Sequence, residues 1–481
     1  MTTSMPVPNR WWALAVLSLA QLMDIVDNTI MNIALPSAQT ELGFSVTDRQ
    51  WLITGYALAF GSLLLIGGRL SDLFGRKRMF MAGLAGFAIA SAVGGAATGF
   101  EVLLVARVAQ GAFTAALAPA ALSLLSVTFS DNPADRGKAF GVFGAISGAG
   151  GAIGLLLGGL LTETLSWRWC LYVNLIFAAL AFLGAIVFLR AGARPARVRF
   201  DTAGAVTSVA GLAGIVYGLG NAANNSWTDP ATLIPTIAGL ALLVLFVTIE
   251  RRAEHPLLPI RVVLDRVRGT SYLTLGVAGA GTFVIFLFLT YYLQQTLGIS
   301  PILTGVAFLP MIGCVMIGAV VSGTVLMPRL GPRPIVPAGA LLAAIGLALL
   351  TRIGTDTSYA GTVLPSLLIM GLGFGLIFGP VQNAATSGVT PSDAGVASAM
   401  VNTSQQIGGS IGTAVFSSLA ALTTTGYLTT HGTTQAAAAT IAGYHLVFWI
   451  AAAVFTAAAL IAALLFRSGP TPTAPEPQPT H

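Results

Sequence analysis

The sequence predicts an all-α polytopic membrane protein with fourteen transmembrane helices. Hydrophobic residues make up 55% of the 481 and charged residues only 8%, whereas soluble domains carry about 25% charged residues. The mean hydropathy is +0.84, and apolar runs recur from one end of the chain to the other. A composition of this kind is typical of a chain that crosses a bilayer many times.

The positions of the spans follow from the apolar runs. A run of about 20 apolar residues is long enough to cross a bilayer. The first run has no cleavage-site pattern, so we expect it to remain as the first span. An even number of spans places both chain ends on the same side of the membrane. The fourteen predicted spans are 11–35, 51–70, 79–98, 102–127, 138–161, 169–190, 203–221, 231–250, 270–296, 302–326, 334–352, 361–386, 394–422 and 443–466.

The basic residues predict which side is cytoplasmic. With the N-terminus inside, nineteen of the 23 lysine and arginine residues fall on cytoplasmic segments, three fall on the opposite side, and Arg107 falls within a span. Cytoplasmic loops carry such an excess. We therefore expect a multi-pass protein of the plasma membrane with both termini in the cytoplasm. The net charge of +6 then reflects topology, and nucleic acid is not an expected partner.

An internal repeat divides the chain. Residues 131–154 match residues 389–412 in one unbroken register, in which Pro133 pairs with Pro391 and Gly154 with Gly412. Span 13 is therefore the predicted counterpart of span 5, and a weaker echo joins 72–78 to 328–333. Two parallel six-helix halves with a substrate site at the membrane midplane fit this pattern. The predicted domains are an N-terminal six-helix bundle at 1–190, a linker with two inserted spans at 191–268, a C-terminal six-helix bundle at 269–467 and a disordered cytoplasmic tail at 468–481.

Two acids lie inside the first span. Asp24 and Asp27 share one helical face with Gln21, Asn28 and Asn32, because these positions fall within roughly 140° of the helical wheel. An ionised aspartate at the centre of a span costs about 2.5–3.5 kcal/mol, so this polar face is expected to line a wet cavity. Two ionised carboxylates three residues apart repel each other, which suits a pair that takes up and releases a proton. The alternative is that one or both lie near the interface and are inert.

These residues resemble the major facilitator superfamily, specifically its fourteen-span drug:proton antiporters. The resemblance covers nearly the whole chain. Residues 27–36, DNTIMNIALP, are similar to the signature of the first span, and Trp51 and Tyr56 fit the second. The loop GRLSDLFGRKR at 68–78 and the ARVAQG segment at 106–111 are similar to two further signatures. The chain departs from the family in two places. In span 5, Leu155 takes the place of a proline, and after SWRW at 166–169, where family members often show Asn-x-Pro, Asn174 is followed by LIF.

The resemblance implies roles for the charged residues within the spans. Asp27 matches the family's first-span aspartate and is expected to couple transport to protons, with Asp24 as a second candidate. Arg107 is the only basic residue away from the ends of a predicted span, and an intramembrane arginine normally faces inward and pairs. Its natural partners are Asp27 and Asp24. Binding of the guanidinium to backbone carbonyls of a neighbouring span is the alternative.

The loop after span 2 has a predicted mechanical role. Gly68 and Gly75 are expected to allow a tight turn, and Asp72 can pair with Arg76. The resemblance suggests that Asp72 also meets the N-terminus of span 13 near Asp393, where an anion is favourable, and so latches the cytoplasmic side shut. The alternative is a cluster that only sets topology. The glycines at 147–159 are expected to pack closely against span 2 or its neighbours; the segment has no Lys-Ser/Thr and no flanking strand, so it is not a phosphate-binding loop.

The substrate contacts are the least specified by the sequence. An apolar pocket with aromatic faces and few polar groups suits amphipathic, often cationic, ligands, although most of these aromatic residues are expected to serve helix packing. The candidates are Tyr56, Phe286, Gln382, Asn383, Asn402 and Gln405.

Together these features predict a proton-coupled exporter of amphipathic organic compounds, drugs or antibiotics among them, that works by alternating access as a monomer in a bacterial membrane. The proton gradient supplies the energy, and neither a cofactor nor a metal is expected. A proton-coupled importer and a non-transporting receptor on the same fold are the alternatives. A channel would need a selectivity-filter repeat and a membrane enzyme a catalytic or metal cluster, and neither pattern is found; the two cysteines and four histidines are scattered.

Overall fold

The computed structural model describes residues 10–45, 47–129, 133–190, 201–222, 226–253, 256–387, 389, 394–431 and 435–466, except for the side chains of Asp72 and of some residues in 133–148 and at 394. Within this part of the chain, thirteen helices are long and apolar enough to cross a membrane, and a further one, Pro133–Thr164, contains the apolar helical stretch Ala149–Thr164. The fourteen predicted spans therefore all coincide with helices.

In chain order the helices are α1 Arg10–Leu42, α2 Arg49–Phe74, α3 Arg76–Gly95, α4 Phe100–Thr128, α5 Pro133–Thr164, α6 Trp169–Phe188, α7 Thr202–Asn221, α8 Pro230–Glu250, α9 Arg266–Thr296, α10 Pro301–Leu330, α11 Pro332–Leu350, α12 Tyr359–Thr386, α13 Ala394–His431 and α14 Ala436–Leu465. Most helices begin before the predicted apolar runs, whereas α3, α6 and α11 end two or three residues earlier than predicted.

Two turns of the chain depend on glycine. Gly75 joins α2 to α3 with a φ of 94°, and Gly331 joins α10 to α11 with a φ of 70°. Only glycine adopts such angles without strain. The two turns occupy the loops that the weak sequence echo relates to each other, which supports the repeat. The prediction that Gly68 also takes part in the turn is wrong: Gly68 lies inside α2, since the helix continues to Phe74.

The first of two compact units comprises Met1–Leu257 and Ile285–Phe308. In it, α4 packs against α2 and α3, and α1 packs against α5 and α6. The segment that ends α9 and begins α10 belongs to this unit through contacts such as Gln294 Nε2 donating to Ile33 O at 3.1 Å and the Ile302 amide donating to Glu163 at 3.2 Å. The predicted domain boundaries remain a prediction.

The inserted helices α7 and α8 pack against each other, and α7 also contacts α2. The Gln50 side chain donates to Gly220 O at 3.4 Å, and the rings of Trp51 and Tyr217 lie 5.8 Å apart. A Cβ at Gly220 would collide with the Trp51 indole, so glycine is required for this close approach. The pair is thus attached to the first unit along one face of α2.

The second unit comprises Leu258–Val284 and Leu309–His481. In it, α9 packs against α13 and α12, while α11 packs against α12 and α14. The pairing of α9 with α13 repeats that of α1 with α5. Gly150 and Gly154 of α5 face α1, and their repeat partners Gly408 and Gly412 of α13 face α9. The glycine face of α5 therefore packs against α1, whereas the sequence pointed to span 2 or its neighbours.

Four short π-helical turns interrupt these helices. They lie at Ile285–Leu289 and Tyr292–Thr296 in α9, at Ser322–Leu326 in α10 and at Tyr359–Val363 at the start of α12. Turns of this type are rare and often occur at functional sites. Two of them lie in the part of α9 that belongs to the first unit.

Candidate functional site

A buried polar cluster is centred on Asp27 of α1. Three side chains donate hydrogen bonds to its carboxylate: Arg107 Nη1 at 2.6 Å, Asn174 Nδ2 at 2.7 Å and Gln110 Nε2 at 3.1 Å. The donors come from two helices, Arg107 and Gln110 from α4 and Asn174 from α6. Asp27 has no exposed surface. Its charge is therefore held entirely by protein groups.

Arg107, the ion-pair partner of Asp27, is also buried. Besides the ion pair with Asp27, its Nη1 donates to Gln110 Oε1 at 2.9 Å and its Nε to the Leu52 carbonyl at 3.4 Å. The guanidinium lies 4.5 Å from the centre of the Tyr56 ring, a cation–π arrangement. The pairing with a first-span aspartate that the sequence predicts is present, and the partner is Asp27.

Asp24 has different surroundings, although it lies one helical turn away. The Tyr56 hydroxyl donates to Asp24 Oδ1 at 2.6 Å and lies 3.3 Å from Thr114 Oγ1. Asp24 also borders a small cleft between α1 and α4. The cleft is lined by Ala20, Gln21, Asp24, Thr114, Leu117, Ala118 and Ala121.

The cluster around Asp27 holds α1, α4 and α6 together through a buried charge. A buried ion pair is stable only while both charges are present and hydrogen-bonded, and removal of one charge leaves the other uncompensated at a cost of about 3–5 kcal/mol. A proton on Asp27 would therefore weaken its bonds to Arg107, Asn174 and Gln110 together. Since Asp27 lies on α1, Arg107 and Gln110 on α4 and Asn174 on α6, loss of the carboxylate's charge would loosen the joint between these three helices.

Gln110 and Asn174 are site residues that the sequence did not single out as such, although both stand in segments that drew attention. Gln110 follows Arg107 by three positions and so shares its helical face. It also bonds to Ser91 Oγ of α3 at 2.8 Å. Asn174 is a lone amide in a very apolar helix, and a polar side chain in such a place normally faces the protein interior. Both signals were available without the structure.

The loop after α2 can be followed only in part. Gly75 forms the turn, and Arg76 begins α3. The side chain of Asp72, and Asp393 at the start of span 13, lie outside the described residues, so the predicted pairing of Asp72 with Arg76 and the latch remain predictions. The neighbouring Lys77 donates to the carbonyls of Ile186 and Leu189 at the end of α6.

The predicted substrate contacts differ in their surroundings. Tyr56 is fully buried behind Asp24, and Phe286 packs against Phe308 with ring centres 4.9 Å apart. Gln382 and Asn383 are exposed near the end of α12, and Asn402 and Gln405 are half-buried on α13. Their role in binding remains a prediction. Within the described residues, no group of three His, Cys, Asp or Glu side chains could hold a metal ion.

Residues 17–413 match the family described as the Major Facilitator Superfamily. The chain is 47% identical over 467 residues to the puromycin resistance protein pur8 of Streptomyces alboniger, with 96% of this chain and 92% of that protein covered. It is 38% identical to the cephamycin export protein CmcT of Amycolatopsis lactamdurans, with 84% and 83% covered.

The fold has relatives among solved structures. The crystal structure of the POT family transporter PepTSo superposes with a TM-score of 0.69 at 14% identity, with 94% of this chain and 97% of that chain covered. At this identity the likeness shows the shared fold alone.

Proposed function

The chain belongs to the major facilitator superfamily, and on that premise we propose that it is a proton-coupled secondary transporter that exports amphipathic organic compounds, antibiotics among them. It is a multi-pass membrane transporter of small organic substrates rather than an enzyme. The relatives are named for resistance to puromycin and for export of cephamycin, which favours export over import.

The observation that carries the coupling proposal is the buried Asp27–Arg107 pair with its amide donors Gln110 and Asn174. In the proposed cycle a proton from outside binds to Asp27. The ion pair with Arg107 then breaks, and the joint between α1, α4 and α6 loosens. Alternation between two states then carries substrate outward, and loss of the proton to the cytoplasm restores the pair. Asp24, one turn away, is the second acid of this cycle.

The setting of this cycle is proposed as well. The transporter works as a monomer in a bacterial plasma membrane with both termini in the cytoplasm, as the distribution of basic residues favours. The proton gradient is its energy source and no cofactor takes part. Asp72 stabilises the closed cytoplasmic side, so Asp72→Ala should slow turnover while substrate affinity is kept.

Purified protein in proteoliposomes tests the proposal. With protein inserted in both orientations, an imposed pH gradient should drive puromycin across the membrane against its concentration, and the protonophore CCCP should abolish this movement. Asp27→Asn should remove the gradient-driven component. The exposed Glu101 at the start of α4 supplies a control, since Glu101→Gln makes the same charge change outside the cluster. Gradient-driven movement that is unchanged in Asp27→Asn would contradict the coupling role.

A further inference from the structure

Asn174 of α6 uses only one end of its amide. Its Nδ2 donates to Asp27 Oδ1 at 2.7 Å, and the residue has no exposed surface. Its Oδ1 is also buried and has no hydrogen-bond partner within the described part of the chain. A buried acceptor that stays unsatisfied is costly, and in a native fold it calls for an explanation. The unused oxygen belongs to the same amide that contacts Asp27.

The Asp27 carboxyl has different needs in its two protonation states. An ionised carboxylate only accepts hydrogen bonds, whereas a protonated one also donates through its O–H. This donor needs an acceptor, and half a turn of the Asn174 amide about its Cβ–Cγ bond would exchange Nδ2 for Oδ1. The separation of 2.7 Å between the two side chains suits an O–H···O bond. One amide can therefore serve both states of the acid.

The other two side chains that donate to Asp27 are less suited to this exchange. Arg107 donates to Asp27 Oδ2 at 2.6 Å, and a guanidinium has no acceptor atom. Gln110 has an acceptor, but its Oε1 accepts from Arg107 Nη1 at 2.9 Å and its Nε2 donates to Ser91 Oγ at 2.8 Å. Rotation of the Gln110 amide would break both bonds, whereas rotation of the Asn174 amide breaks none at its Oδ1.

The titratable groups around Asp27 are hydrogen-bonded elsewhere. Asp24 and Tyr56 are bonded to each other at 2.6 Å. Cys170 lies one turn before Asn174 on α6, and its Sγ shares a hydrogen bond of 3.4 Å with a threonine hydroxyl. The charged neighbour on α4 is the guanidinium, which only donates. Among the described residues, the asparagine is thus the acceptor best placed for an Asp27 proton.

From this arrangement we propose that Asn174 accepts the hydrogen bond of protonated Asp27, and that its amide rotates by half a turn each time the proton binds and leaves. The inference rests on the proposed proton coupling at Asp27. It also specifies where the joint opens. The ion pair with Arg107 of α4 breaks, whereas the bond to Asn174 of α6 is replaced by a weaker, neutral one. The joint therefore opens between α1 and α4, while α1 stays bonded to α6.

Infrared difference spectra of the protein in lipid films, acidic minus neutral pH, test the proposal. The C=O stretch of a protonated carboxyl lies apart from the amide bands and falls in frequency when the group is hydrogen-bonded. A band that is missing from Asp27→Asn belongs to Asp27. Asn174→Leu keeps the size of the side chain without an acceptor and should move this band to higher frequency. Gln110→Leu removes the other amide donor to the same oxygen and should leave the band close to its wild-type position.

Two results would overturn the proposal: an Asp27 band that Asn174→Leu does not move, and an equal shift in Gln110→Leu. If Asn174→Leu does not fold, wild-type protein with 13C-labelled asparagine side chains decides. Acidification should lower the C=O frequency of an asparagine, and this change should be missing from Asp27→Asn; unchanged asparagine bands refute the proposal.

The acceptor role and the proposed coupling fail in different ways. An Asp27 band that is present but does not respond to Asn174→Leu rejects the acceptor role alone. The lack of any Asp27 band in the wild type rejects proton coupling at Asp27 and the acceptor role together.

Discussion

In the first unit, Asp27 of α1 lies between Arg107 of α4 and Asn174 of α6. In the second unit, Gly281 of α9 lies against Phe374 of α12 and Phe455 of α14, whose rings make an edge contact with centres 5.8 Å apart. By chain order in the repeat, α9, α12 and α14 are the counterparts of α1, α4 and α6. One three-helix joint is therefore polar and charged, and its counterpart is apolar and aromatic.

The backbone framework of the two joints is similar. Glycines of α5 fit against α1, and glycines of α13 at the repeat-related positions fit against α9. The shared framework shows that an ion pair is not needed to hold three helices of this fold together, because aromatic packing does so in the second unit. The charged cluster of the first unit therefore calls for a functional explanation, and proton coupling provides one.

The largest expected effect comes from breaking the charged joint. Asp27→Asn and Arg107→Gln each leave one buried charge without its partner, which costs about 3–5 kcal/mol, and each should abolish gradient-driven export. The double variant contains no unpaired charge and should regain most of the lost thermal stability without regaining transport. Melting curves in detergent and proteoliposome assays measure the two properties. A double variant no more stable than either single one would mean that the pair is not an energetic unit.

A change in the aromatic joint should lower stability without affecting the coupling of transport to the pH gradient. A Cβ at Gly281 would meet the rings of Phe455 and Phe374, and overpacking of this kind costs about 1–3 kcal/mol. Gly281→Ala should therefore lower the melting temperature while the dependence of transport on the pH gradient stays as in the wild type. A changed pH profile in this variant would show that the second unit also takes part in coupling.

How far the sequence predicts these joints depends on the residue. The Asp27–Arg107 pair was predictable, because an intramembrane arginine must find an acid and the first span supplied the available ones. The sequence also indicated that Gln110 and Asn174 face the protein interior, but not that both donate to Asp27, since hydropathy locates a helix and does not fix its rotation or its neighbours. The turn between α2 and α3 was only partly predictable. Gly68 and Gly75 both belong to the loop signature, but only Gly75 forms the turn, because α2 continues past Gly68 to Phe74.

The glycine contacts of the two units differ in what they face. Gly150 and Gly408 are repeat partners, but a Cβ at Gly408 would collide with the backbone of Gly276, whereas at Gly150 it would meet the side chain of Ile25 at 3.0 Å. A side chain can shift and a packed backbone cannot do so without moving a helix. Gly408→Ala should therefore lower the free energy of unfolding by about 1–3 kcal/mol and clearly lower the melting temperature. Gly150→Ala should lower both much less. Equal losses would show that the two glycine contacts are equally rigid.

The smallest expected effect concerns the donor that has no counterpart in the aromatic joint. Asn174 donates to Asp27 Oδ1 at 2.7 Å, and it is one of three side chains that donate to this carboxylate. Asn174→Ala keeps the Arg107 pair and removes this one donor, so the melting temperature should fall while gradient-driven export is weakened rather than abolished. The loss in unfolding free energy should be about 1.5 kcal/mol, at the low end for a hydrogen bond to a charged group, because the other two donors remain. Ser91→Ala is the matched control and should lose less, because Ser91 bonds to Gln110 in the same cluster and not to Asp27. An equal loss of stability in Ser91→Ala, or no loss in Asn174→Ala, would mean that α6 supports the joint by packing alone.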